Sequence, residues 1–248
     1  MERKNIPDPG FAGDSGSADP RLAEALARWV DNPAGAQPDV LAALVGARLM
    51  VPVVALLGEA EIGPDGLRRE KTSDMAVPVV QAADGRRALP VFTSLVALAS
   101  WRGDARPVPV RGRQAVLAAY AERADTLLLD PAGPVTYQLT GAAMRAVAEG
   151  REHLPPARDP QVLAAVRHAL ATEPSVLRAY LRPGEETDAV VALVPEPTAD
   201  AAAVQSAAQR IAGMLAADEL LRVRLDRGLD LAVLPSSAGP VGEPLYSR

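Results

Sequence analysis

The sequence predicts an α/β fold of the α+β kind in two domains, each a mixed sheet covered by helices, the second a small α+β sandwich. Three observations carry that expectation. Short apolar runs of strand length, such as "LMVPVVALL" at 49–57 and "TLLLD" at 126–130, alternate with stretches whose apolar residues recur at helical spacing. A break rich in proline and charge, "REHLPPARDP" at 151–160, separates two such blocks. The 248 residues are 48% hydrophobic, enough to bury a core in each block.

Residues 1–19 are rich in Gly, Pro, Asp and Ser and read as an extended N-terminal arm. Ile6 and Phe11 are the exception within it. Leaving such side chains in water forgoes about 1.5–3 kcal/mol each, so residues 5–12 are expected to strap across the first domain. That domain spans residues 20–152. Asp19 and Pro20 supply an N-cap and a first helical position, and Leu22, Ala25, Leu26 and Trp29 share one face of the helix that follows. Asp39 reads as the cap of a second helix reaching residue 48.

The run 49–57 reads as a strand buried on both faces, with Pro52 arguing against a fully paired central position. A polar excursion over 58–74 leads to "MAVPVVQA" at 75–82, and Asp84-Gly85 turns the chain into "RRALPVF" at 86–92. Thr93 or Ser94 can cap the next helix, in which Leu95, Leu98 and Trp101 fall on one face. Phe92 and Trp101 are therefore expected to staple that helix to the sheet, or else to line a binding site. "PVPV" at 107–110, a helix over 114–123, the 126–130 strand, "PAGPVTYQL" and a helix over 141–149 continue the alternation. The second domain, 158–248, reads as helix (161–172), strand ("SVLRAYL"), Pro-Gly-Glu turn, strand ("AVVALV"), helix (200–217) and a final strand or hairpin in "LRVRLDRGLDLAVLP" at 221–235.

A net charge of −5 and a pI near 5.2 argue against unaided binding of nucleic acid, which needs a dense cationic face. The absence of Cys excludes disulfides, thiol nucleophiles and thiolate metal sites and fits a reducing compartment. The N-terminus shows no apolar signal core, and the longest apolar run is too short to span a bilayer, so no membrane association and a cytoplasmic location are expected.

Catalytic motifs are scarce. "GDSGS" at 13–17 has letters found around a serine-protease nucleophile, but only twelve residues precede it and the rest of a triad cannot. Neither a dinucleotide fingerprint nor a phosphate-binding loop occurs. His153 and His168 are the only imidazoles and have no ligand spacing around them, so no metal and no cofactor are expected. The excursion places Glu59, Glu61, Lys71 and Asp74 near strand ends, where α/β folds build sites; the same charges also suit a solvated hairpin. Asp130 closes a strand in "LDPAGP", a turn first and a site candidate second.

Taken together, "NIPDPGFAGDSGSADP", "ARLMVPVVALLGE", "SDMAVPVVQAADGRRALPVFTS" followed by Trp101, "ARPVPV" and "LDPAGP" resemble the bacterial SseB family of enhanced serine sensitivity proteins. The second block, with "SVLRAYL", "VVALVP" and "EPLYSR", is similar to the C-terminal domain of that family. The resemblance implies a link to serine tolerance and carries no reaction with it. Glu59, Lys71, Asp74, Asp130, Phe92 and Trp101 are the candidate binding residues, and no catalytic residue is assigned. The leading expectation is a noncatalytic module that binds a protein or a small molecule. The alternatives are an enzyme acting on a small amino-acid-like substrate through Glu59, Lys71 and Asp74, and an adaptor associated with secretion or immunity.

Overall fold

A computed structural model of the chain describes residues 11, 13–57, 60–62, 68–70, 73–82, 85–239 and 242–248. It divides into two compact units, Met1–His153 and Leu154–Arg248. Each mixes helices with β-sheet, in the α+β manner expected.

In the first unit α1 (Pro20–Asp31) starts where local chemistry predicts. The Asp19 carboxylate accepts from the backbone N–H groups of Arg21 and Leu22, and Leu22, Ala25 and Leu26 are buried. The second helix differs from expectation. α2 (Pro33–Gly46) is capped by Asn32, whose side chain accepts from Gly35 N–H, so Asp39 lies inside the helix. Ala47 is extended, and Arg48 already belongs to β1 (Arg48–Leu57).

β1 pairs antiparallel with β7 (Arg106–Arg111) through its first half and with β4 (Ser73–Ala76) through its second. Between the β1 and β4 stretches of sequence lies a small antiparallel pair, β2 (Ala60–Ile62) with β3 (Arg68–Glu70). Pro52 is tolerated for a geometric reason. Met50 exchanges both backbone hydrogen bonds with Phe92, at 2.8 and 2.9 Å, so its polar groups face away from β7. By strand alternation Pro52 faces the same way, and its missing N–H costs no bond to β7. Pro109 and Pro107, opposite Met50 and Pro52, likewise turn their nitrogens away from β1.

A second sheet runs in the order β5 (Val80–Gln81), β6 (Arg87–Val91), β8 (Thr126–Leu129), β9 (Tyr137–Thr140). β6 and β8 are parallel, and the Met50–Phe92 bridge joins this sheet to β1. Successive residues serve opposite faces: Val91 lies in the main core with α1, α2, α4 (Gly112–Ala121) and α5 (Gly141–Glu149), while Phe92 lies on the other face with Met50 and Leu98 of α3 (Leu95–Trp101).

The second unit opens with a 3-10 turn at Pro156–Arg158 and α6 (Pro160–Ala171). β10 (Val176–Pro183) and β11 (Ala189–Pro195) form an antiparallel hairpin. α7 (Ala201–Ala217) and α8 (Glu219–Arg224) then carry the chain to β12 (Leu229–Val233), parallel to β11. With β13 (Tyr246–Ser247) the sheet order is β12-β11-β10-β13. Val162, Val166, Ile211 and Leu221 from the helices pack on Val191 and Leu193 of the sheet. The expectation of a final strand or hairpin over 221–235 holds for β12 but not for its start: residues 221–224, where "LRVRL" alternates, belong to α8. Asp218 caps that helix by accepting from Leu221 N–H, and Leu221 and Leu225, one helical turn apart, are both buried.

Candidate functional site

β6 and β8 end side by side, and the chain leaves both at the same place. Asp130 N–H donates to the Val91 carbonyl at 2.9 Å, the last sheet-like bond, after which Asp130 adopts a left-handed φ of 46°. Few residues other than glycine do so, aspartate among them. The turn is held by its own carbonyl, which accepts from Gly133 N–H at 2.9 Å and from the Thr136 hydroxyl at 3.1 Å. A Cβ at 133 would lie 3.1 Å from the Asp130 Cβ, so a larger residue there would have to push Asp130 aside by a few tenths of an ångström.

The Asp130 carboxylate points back to the end of β6. One oxygen accepts from Thr93 N–H at 2.9 Å and the other from the Thr93 hydroxyl at 2.6 Å. Asp130 and Thr93 are 8% and 7% exposed, so both oxygens of a buried anion are occupied within the fold. Ser94 spends its hydroxyl capping α3, accepting from Ala97 N–H at 3.1 Å. Arg48 joins the cluster from the start of β1: its guanidinium donates to the Thr93 carbonyl at 3.0 Å, pairs with Asp14 at 2.9 Å and donates to the Ser17 carbonyl. The Gly16 carbonyl accepts from Leu95 N–H at 2.9 Å. Residues 14–17 are thereby fastened to the first turn of α3. Of the expected strap over 5–12, only Phe11 falls among the described residues; it is half-buried.

Above Thr93 and Asp130 lies a groove of about 350 Å³. Ala23, Leu26 and Ala27 of α1 form one wall, Val96, Ala97 and Ser100 of α3 another, and residues 132–135 the third. Val96 stands at its rim, 76% exposed. Each polar side chain at its floor has a partner within the fold, and the walls are mainly apolar. Phe92 and Trp101 lie on the sheet side of α3, outside these walls, with ring centroids 5.3 Å apart and planes inclined at 39°. Phe92 is fully buried and Trp101 half-buried.

Behind the groove Tyr137 of β9 is buried in the main core with the Trp29 ring edge-on at 5.2 Å, and its hydroxyl has no hydrogen-bond partner. Burial alone pushes its phenol up to about 12. Asp74 lies in β4 opposite Leu56, whereas Glu59 and Lys71 lie outside the described residues. Sequence reading flagged Asp130 from its place at a strand end. It did not find Arg48 or Asp14, whose roles arise from contacts between residues far apart in the chain. Among the described residues no group of three His, Asp or Glu could hold a metal ion, and no helix is long and apolar enough to cross a membrane.

Fold and groove together define an α+β domain with its candidate groove at the carboxyl ends of two parallel strands, where such sheets commonly place sites. The family model described as SseB protein N-terminal domain matches residues 22–146, half of the chain, and includes most of α1, both parallel strands, α3 and the Asp130 turn. The chain belongs to the SseB family. No curated protein and no solved structure matches it.

Proposed function

We propose that this SseB-family chain is a noncatalytic binding module of the cytoplasm, and that its groove receives an apolar side chain of a protein partner. The observation that carries this reading is the pairing of a polar floor bonded within the fold with open apolar walls. Both Asp130 oxygens serve Thr93, the Ser94 hydroxyl serves α3, and Val96 and Ala97 face the groove. A free amino acid such as serine would bring a carboxylate and a hydroxyl against mainly apolar walls, where they would lose hydration without recovering it. An aliphatic or aromatic side chain on a peptide gains from the same walls. The second block acts as the C-terminal domain of the family, and the link to serine tolerance runs through the partner rather than through chemistry on serine.

The test is methyl NMR on Val96, Ala97 and Ala27 of the intact protein, titrated separately with free serine and with short peptides carrying Leu, Met or Phe. Peptides should shift these methyls saturably, and Val96→Asp should remove the response. Saturable shifts from free serine, with none from the peptides, would overturn the reading.

A further inference from the structure

Two sheet edges in this chain are built differently, and the difference points to a second interface. β7 is an edge strand, and its outward positions include Pro107 and Pro109, which have no N–H to offer an incoming strand. β12 is the edge of the second unit's sheet, and the opposite edge, β13, is only two residues long. β12 lacks such protection. Leu234 N–H donates to Leu193 and the Gly228 carbonyl accepts from Asp188, so even-numbered positions face β11. Leu229, Leu231 and Val233 therefore turn their N–H and C=O groups outward, and no described strand pairs with them. Neither proline nor lysine interrupts the strand.

We propose that β12 pairs antiparallel with β12 of a second copy of this chain, joining the two sheets across a two-fold axis at Leu231. In that register Leu231 exchanges both backbone bonds with Leu231 of the other copy, and Leu229 does so with Val233 in each direction, as an isologous contact requires. The side chains fit the same register. Leu229 and Leu231 pack with the helices, and Val233 follows on that face yet is 49% exposed. Pairing sets Val233 of one copy opposite Leu229 of the other. Beside Leu229 lies a cavity of about 380 Å³ walled by Leu215, Leu221 and Leu225. Asp230 falls opposite Ala232, so the one charged residue of the strand meets no like charge directly across the axis. This surface belongs to the second unit and is independent of the groove in the first.

The experiment is sedimentation equilibrium of the intact chain, alone, over a wide concentration range. The wild type should approach twice the chain mass as concentration rises. Val233→Pro removes only an outward N–H and leaves the bonds to β11, so it should halve that mass with the far-UV spectrum unchanged. Val233→Lys, which places a charge in the cavity-facing position, should do the same and decides the matter if the proline variant misfolds. A single-chain mass at every concentration, or a double mass that survives both substitutions, overturns the proposal.

Discussion

The two units bury acidic side chains in opposite ways. In the second unit each buried carboxylate meets a guanidinium: Asp159 pairs with Arg224 at 2.6 Å, and Glu173 is held by both ends of Arg210 at 2.7 and 2.8 Å. In the first unit Asp130 meets only an amide and a hydroxyl, both from Thr93, while Arg48 bonds the Thr93 carbonyl instead of the carboxylate. A cation neutralises the charge and pins distant segments, here α8 to the start of α6. Neutral donors hold the anion in place without cancelling it. The first arrangement is a staple; the second is the floor of a groove.

Removing a cation tests that contrast most severely. Arg224→Ala leaves Asp159 buried and uncompensated, which should cost about 3–5 kcal/mol in the second unit, read from its denaturant midpoint. A loss below about 1 kcal/mol would show that Asp159 needs only its helix-capping bonds to Gln161 and Val162.

Asp130→Ala strands two buried donors of Thr93 and should cost about 2–4 kcal/mol in the first unit. Asp130→Asn keeps an acceptor for the Thr93 N–H and tolerates the left-handed φ, so its cost should stay near 1 kcal/mol. Equal losses for the two variants would mean that the charge itself is required, and the contrast between the units would fail.

Tyr137 extends the comparison to a polar group buried with no partner. Its folded-state phenol is raised from 10.0 to about 12, so the unfolded chain releases its proton first. The stabilisation from keeping it neutral is complete below pH 10 and is lost as pH rises toward about 12, a difference of about 2–3 kcal/mol. Tyr137→Phe should flatten the stability profile of the first unit in that window relative to wild type, measured by denaturant titration at several pH values. Parallel profiles would show that the hydroxyl is solvated in the folded protein.

The smallest expected effect falls at the groove rim. Val96→Asp should change stability by no more than about 0.5 kcal/mol, since the side chain is already in water. A clear drop in melting temperature would make Val96 a packing residue and weaken its claim to a binding role.

Much of this was decided locally. Asp19 and Pro20 set the start of α1, Ser94 the start of α3, and the apolar runs became β1 and β8, because caps and short-range periodicity act over a few residues. Asp130 was legible as the residue where a strand stops. Its meaning was not, since the Thr93 donors lie just past the end of β6, thirty-seven positions earlier, and only the parallel pairing of β6 and β8 brings them together. The same holds for Arg48 bridging Asp14 to Thr93. In residues 221–224 the local signal misled: a strand would place Leu221 and Val223 on one face, but Leu221 is buried and Val223 is 39% exposed, a separation that α8 provides. Nor does a sequence show which strand ends up at an edge. The prolines of β7 and the open N–H groups of β12 acquire their contrast from sheet order, which depends on pairing between distant segments rather than on any residue's own preference.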